Sequence, residues 1–145
     1  MYDSEELGLK YDSEDSDLDP NDGWNLGSQD LADTTHTFQK HFITSTEKIE
    51  VLDVGGGTGR IVVKLHETLT TNNKESKLDL VDINKVYIGK IKKNKKTKKC
   101  VRKAYVGDAL KSSSYKQHYD VIMVCGVAQY FDDTHFVSLL SLIKK

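Results

Sequence analysis

At 145 residues, with 37% hydrophobic and 30% charged content, the chain is long enough for one domain with its own core, and it carries no apolar run able to span a membrane. Its two cysteines, Cys100 and Cys125, exclude a disulfide framework, and neither has metal-ligand spacing with the five histidines, so no metal site is expected and a reducing compartment is favoured. The formal net charge of −1 hides a segregation: residues 1–34 hold eleven acids and one base, Lys10, whereas residues 85–103 hold ten bases and no acid.

In chain order, residues 1–29 form an acidic arm that repeats Tyr-Asp-Ser-Glu at 2–5 and 11–14. Poor in aliphatic residues, the arm cannot bury enough apolar surface to offset its ordering entropy, and disorder is predicted, with Trp24 and Leu26 as the exceptions able to dock. The domain is predicted over 30–145. A helix is expected over about 30–43, with Phe38 and Phe42 one turn apart. A strand at 50–54 and a helix at 58–70 follow, the helix placing Ile61, Leu65 and Leu69 on one stripe. After a polar turn from Thr71 to Ser76 come a strand at 78–82, a helix at 84–96 capped by Asn84, and strands at 101–106 and 119–125. A last helix starts near Asp133 or Thr134, with Phe136, Leu139, Leu140 and Ile143 at the spacing of one buried face. Alternating strands and helices predict an α/β fold with a parallel sheet and right-handed crossovers.

The most informative stretch is Val51-Leu-Asp-Val-Gly-Gly-Gly-Thr-Gly-Arg60, an apolar strand ending in acid-x-Gly-x-Gly-x-Gly (Asp53, Gly55, Gly57, Gly59). Such a turn lets a ligand lie against bare backbone near helix N–H groups. A phosphate-cradling P-loop needs Gly-Lys followed by Ser or Thr, but Arg60 and Ile61 follow Gly59. A dinucleotide fingerprint starting at Gly55 needs glycine where Arg60 stands. An acid two residues before Gly-x-Gly-x-Gly is the first motif of the class I S-adenosylmethionine-dependent methyltransferases, and the segment resembles that family; a glycine-rich turn of some other α/β protein is the alternative. Later strand ends continue the resemblance. Leu78-Asp-Leu-Val-Asp82 ends in an acid of the kind that accepts from a ribose diol, the third strand runs into Gly107-Asp108-Ala109, and Tyr119–Val124 runs into Cys125-Gly-Val-Ala-Gln-Tyr-Phe-Asp-Asp133. The likeness covers about residues 30–145.

The resemblance implies a Rossmann-like sheet and S-adenosylmethionine as cofactor. It implies that Asp82, with Ile83 beside it, holds the ribose hydroxyls, and that Asp108, with Ala109, receives the adenine amino group. The Gly55–Gly59 backbone would make room for the methionine part, Arg60 would pair with its carboxylate, Asp53 would order the loop and act indirectly on the ammonium, and Cys125 would line the methyl-transfer pocket. No catalytic residue is assigned: Tyr130 either orients a nucleophile or simply packs, and His135 reads as a helix-start residue.

The family has seven strands in the order 3-2-1-4-5-7-6, so strands five to seven are expected to be missing. The chain would then be truncated, or would borrow strands from a partner along an exposed fourth strand. The nearest subgroup likeness is to the protein α-N-terminal methyltransferases, through Gly-x-Gly-x-Gly-Arg, Val-Asp-Ile, Tyr-Asp-Val-Ile and Asp132-Asp-Thr-His135. That subgroup differs in having glutamine where Cys125 stands, tryptophan at Gly126, a catalytic histidine at Tyr130 and a catalytic aspartate that would fall beyond Lys145. N-methylation of a protein or peptide is therefore one expectation. The others are a non-catalytic cofactor-binding subunit and a small-molecule- or RNA-directed enzyme, the last using the Lys92–Lys103 face. A cytoplasmic or nuclear location is expected.

Overall fold

The computed structural model describes residues 36, 37, 40, 41, 48–125 and 127–144. The acidic arm with Trp24 and Leu26, both Phe38 and Phe42 of the expected first helix, and Gly126 lie outside these residues; 36, 37, 40 and 41 are helical.

The elements run β1 (Lys48–Val54), α1 (Arg60–Thr71), β2 (Glu75–Asp82), α2 (Lys85–Lys93), α3 (Lys95–Cys100), β3 (Val101–Val106), β4 (Val121–Met123) and α4 (Asp133–Ile143), with single 3-10 turns at Ser112–Ser114 and Ala128–Tyr130. The strands pair in parallel in the order β3-β2-β1-β4, with Val51 opposite both Leu78 and Val121, and Leu78 opposite Val101. This is the expected α/β, Rossmann-like sheet.

Alternation along the strands builds two cores. Ile49, Val51, Leu78, Leu80 and Met123 pack on one face against Ile61, Val62, Leu65 and Leu69 of α1 and Ile88 and Ile91 of α2. Leu52, Val54 and Val81 pack on the other face against Ala109 and Leu139. Each such side chain contributes about 1.5–3 kcal/mol by leaving water.

A charged network closes the strand starts. The buried Asp79 accepts from Arg102 Nε and Nη2, both at 2.8 Å, and from the Tyr119 hydroxyl at 2.9 Å. Arg102 also reaches Glu50 at 3.2 Å, and Gln117 and Lys77 reach Glu50 at 2.8 and 3.6 Å. Four strands or their approaches are thereby tied together at one end.

Four expectations are corrected. β2 begins at Glu75, so the polar turn shrinks to a bend at Asn72–Lys74, with Asn73 at φ 55°. The helix expected over 84–96 is two, because Asn94 leaves the helical path and its side chain caps α3, accepting from Lys96 N at 2.8 Å. β4 is three residues long rather than seven: Tyr119 is drawn to Asp79, and Asp120 instead accepts from Glu50 N at 2.7 Å. The helix face expected at Phe136, Leu139, Leu140 and Ile143 is buried fully only at Leu139 (1% exposed); Val137 is 61% exposed and Phe136 and Leu140 are exposed, since no described element covers that side of α4. β4 is one edge of the sheet and, among the described strands, pairs only with β1.

Candidate functional site

The residues assigned to the cofactor site from the sequence lie at the carboxyl ends of the strands or in the segments that leave them. The sheet order changes direction there between β1 and β4, and ligands of open α/β sheets bind outside such a switch point.

The loop from β1 to α1 is held from below by Gly55 N donating to Val81 O at 2.8 Å. Gly55, Gly57 and Gly59 have φ of 69°, 57° and 85°, the left-handed region that side chains resist. Gly55 lies directly under Val127, so a Cβ there would collide with that side chain. A Cβ on Gly57 would meet nothing within 4 Å, so this stretch of backbone faces open space.

Asp82 closes over the loop from β2. Its Oδ2 accepts from Gly57 N and its Oδ1 from Asn84 N, each at 2.8 Å. Burial pushes its carboxyl up, and the amides of Asn84, Gly57 and Ile83 pull it partly back. A carboxylate has about four acceptor sites, so with three amides against it Asp82 fastens the loop and is still not saturated. Asn84, fully buried, then caps α2 by accepting from Val86 N at 2.8 Å. Ile83 is half-buried between them.

At the next exit Gly107 N donates to Asp82 O at 3.0 Å, tying the ends of β2 and β3. The half-buried Asp108 turns the chain, its Oδ1 accepting from Leu110 N at 2.9 Å and its carbonyl from Ser114 Oγ at 2.6 Å. Ala109 is buried in the second core, and Cys125, half-buried after β4, packs on the first.

The glycine loop carries buried polar groups left over from folding. Asp53 is 0% exposed, and neither of its oxygens has a hydrogen-bond partner. Burial, and then the charge of Asp82, push its carboxyl up to about 7. Thr58 Oγ1 and Arg60 Nη1 are likewise buried without partners. Each orphaned group costs about 1–3 kcal/mol, so their concentration on one loop marks a site built for something other than the fold's own stability. Thr58 was not singled out from the sequence, because a threonine inside a glycine loop reads as spacing. The Val127 contact was also missed, since it pairs residues 72 apart.

Beyond the loop, Asp132 caps α4 by accepting from His135 N at 2.8 Å, and His135 Nδ1 lies 2.7 Å from the same oxygen. His135 is therefore the helix-start residue expected. The Tyr130 hydroxyl is buried.

A family model described as a methyltransferase domain matches residues 51–145. The chain belongs to the methyltransferase domain family. Solved structures agree on the fold. One, described for the conversion of a disulfide bond into a thioacetal group during echinomycin biosynthesis, aligns with TM-score 0.65 at 17% identity over 97% of this chain and 54% of its own. An S-adenosylmethionine-dependent methyltransferase from Thiobacillus denitrificans, in complex with S-adenosyl-L-homocysteine, aligns with TM-score 0.57 at 17% identity over 98% and 52%. The plantazolicin methyltransferase BpumL aligns with TM-score 0.57 at 19% identity over 96% and 46%. The chain thus spans about half the length of these structures. A search of curated proteins by sequence finds no match. The family matches do not support the protein α-N-terminal subgroup in particular. No described helix is long and apolar enough to cross a membrane.

Proposed function

We propose that this domain binds S-adenosylmethionine at the strand exits and serves methyl transfer from it. The observation that carries the reading is the pair of buried, unpartnered groups at the two ends of the glycine loop, the Asp53 carboxyl and Nη1 of the Arg60 guanidinium, beside the open backbone of Gly57. A zwitterionic amino acid matches that pair: Arg60 suits its carboxylate, and Asp53 supplies the field its ammonium needs. A pyrophosphate is disfavoured at the same place, because Asp53 and Asp82 both lie against the loop. A nucleoside without phosphates, carrying an amino acid and positive charge, fits the residues present.

In this reading Asp82 holds the ribose hydroxyls with its remaining acceptor capacity and Asp108 the adenine amino group, while Ile83 and Ala109 wall the base. Gly55 and Gly59 shape the turn, and Cys125 borders the space in front of the reacting centre. The cofactor, when bound, supplies an activated methyl on a sulfonium. The protein's own task is to hold the acceptor in line and exclude water, and positioning of this kind lowers barriers by about 7–11 kcal/mol in the best cases. No nucleophilic side chain is required.

The acceptor we favour is a nitrogen of a protein or peptide, on the likeness of Gly55–Arg60, Val81–Ile83 and Tyr119–Ile122 to enzymes of that type. The uncovered edge of β4, with the exposed Phe136, Val137 and Leu140, is where we place a further strand or a partner. The test is calorimetric titration with S-adenosylmethionine, S-adenosylhomocysteine and ADP, followed by transfer of a labelled methyl to peptide, small-molecule and RNA pools. Binding of the first two and rejection of ADP is expected. Preference for ADP overturns the site; binding with no transfer to any pool leaves a cofactor-binding subunit and overturns the enzyme.

A further inference from the structure

The lysine-rich segment 85–103 has no part in the site above. It folds into all of α2, all of α3 and the start of β3, and Lys92, Lys93, Lys95, Lys96, Lys98 and Lys99 are all exposed. None of these six is among the ion pairs of the described residues. The acid nearest α3 on the neighbouring α1, Glu67, is engaged by Lys64 at 3.8 Å. Within α3, Lys95 and Lys99 stand four apart and Lys96 and Lys99 three apart, spacings at which like charges repel by about 0.2–0.5 kcal/mol per pair. The fold therefore gathers positive charge and, among the described residues, pairs none of these six lysines with an acid.

The topology brings this face close to the point where the chain enters the domain. In a parallel sheet every strand starts at the same end. Lys48 opens β1 three residues before Val51, which lies opposite Leu78, which lies opposite Val101 at the end of α3. Two strand spacings across and three residues along put the entry of the chain roughly 15 Å from the lysine face. With 36, 37, 40 and 41 helical, residues 42–47 alone can still reach about 20 Å at full extension. The eleven acids of residues 1–34 are thus tethered within reach of the six exposed lysines, at an effective concentration on the order of millimolar.

We propose that the lysine face is a docking surface for the chain's own acidic N-terminal segment, residues 1–34, which acts as a built-in polyanion and holds off other polyanions such as RNA. Docking there leaves the strand exits open, since the α3–β3 junction lies at the opposite end of the sheet. The inference is independent of the ligand assigned to the glycine loop.

Carbodiimide cross-linking of the full chain at low micromolar concentration tests it, because the reagent joins a carboxylate to an amine only in direct contact. Cross-links from the arm's Asp12–Asp22 stretch to Lys92–Lys99 are expected in the monomer at 50 mM salt, and their loss at 0.5 M salt. The second measurement is anisotropy of a labelled 20-nucleotide oligouridylate. A full-length variant with Asp12, Asp15, Asp17 and Asp19→Asn and Glu14→Gln should bind it at least tenfold tighter than the parent at 50 mM salt, and equally at 0.5 M. Adding Lys92, Lys93, Lys95 and Lys96→Gln should abolish that gain. Equal oligonucleotide affinity in the arm variant and the parent overturns the proposal. So do cross-links found only between two chains, which would point to a second copy, or monomer cross-links confined to lysines elsewhere.

Discussion

Asp53 and Asp79 sit on neighbouring strands and are equally hidden, at 0% and 1% exposure, yet they live in opposite surroundings. Asp79 accepts two guanidinium N–H groups and a tyrosine hydroxyl. Asp53 accepts from nothing. The first is met by the residues that open β3 and precede β4; the second stands one residue further along in register, on the other face of the sheet under the glycine loop, and keeps a carboxyl without a partner. A fold can bury a carboxylate cheaply only by surrounding it with donors, as at Asp79. Where it buries one without donors, the missing donors are expected from a ligand. One surrounding is thus built for stability and the other for binding, and substitutions in the two should separate the two properties.

The largest effect is expected at the satisfied carboxylate. Arg102→Ala strands Asp79 as a lone buried charge and should cost about 3–5 kcal/mol, the usual consequence of removing one partner from such a pair. Urea denaturation measures it. A loss under 1 kcal/mol would show that water or another cation replaces the guanidinium and would erase the contrast between the two. At the unsatisfied carboxyl the effect appears as pH dependence. Asp53 is held near 7 when folded against an ordinary 3.8, so the folded empty protein holds a proton that the unfolded chain gives up between pH 4 and 7. Stability should therefore fall as pH rises through that window, by about 2–3 kcal/mol from pH 5 to 8. Asp82 is shifted in the same direction and adds to the slope. Asp53→Asn should flatten the slope and be more stable than the parent at pH 8. A cationic ligand reverses the sign: its affinity should rise with pH up to about 7 and then level off, and the Asn variant should lose that rise.

Much of this was legible before the structure because it is local. The glycine spacing, the acids at Asp53, Asp82 and Asp108, and the alternation of apolar strands and striped helices are written within a few residues of one another, and the strand exits gather them as expected. The illegible part is made of long-range pairs. Asp79–Arg102–Tyr119 spans 40 residues, and each member alone reads as an ordinary polar residue. Asp82 reads as a ligand-facing acid, yet it also fastens Gly57 across 25 residues. Helix α4 was misjudged for a different reason: periodicity reports which residues share a face but not whether anything covers it, so Phe136 and Leu140 stay exposed beside Leu139.

A smaller effect is expected at Asp82, which works in both senses. Asp82→Ala removes the acceptor for Gly57 N and the carboxylate available to a diol. Affinity for the cofactor should fall at least tenfold, in line with about 1.5–3 kcal/mol for a charged hydrogen bond. Titration of Asp82→Asn separates the two roles, since the amide oxygen can still accept from Gly57 N while the charge is gone. If the Asn variant binds as the parent does, the carboxylate only fastens the loop and makes no contact with the ligand.

The smallest effect, and the sharpest discriminator, lies in the glycines themselves. Gly57→Ala meets no neighbour, so its stability cost should be only the strain of a side chain at positive φ, about 1–2 kcal/mol. Gly55→Ala carries the same strain and also forces Val127 away, so it should unfold at lower denaturant than Gly57→Ala. Binding should rank the other way. The methyl on Gly57 projects into the open space in front of the loop, where the ligand is expected, whereas the methyl on Gly55 points at protein. Equilibrium unfolding and cofactor titration of the two variants therefore form a crossed pair. If Gly57→Ala binds the cofactor better than Gly55→Ala does, the ligand does not lie against residue 57, and the unpartnered Asp53 and Arg60 must answer to something else.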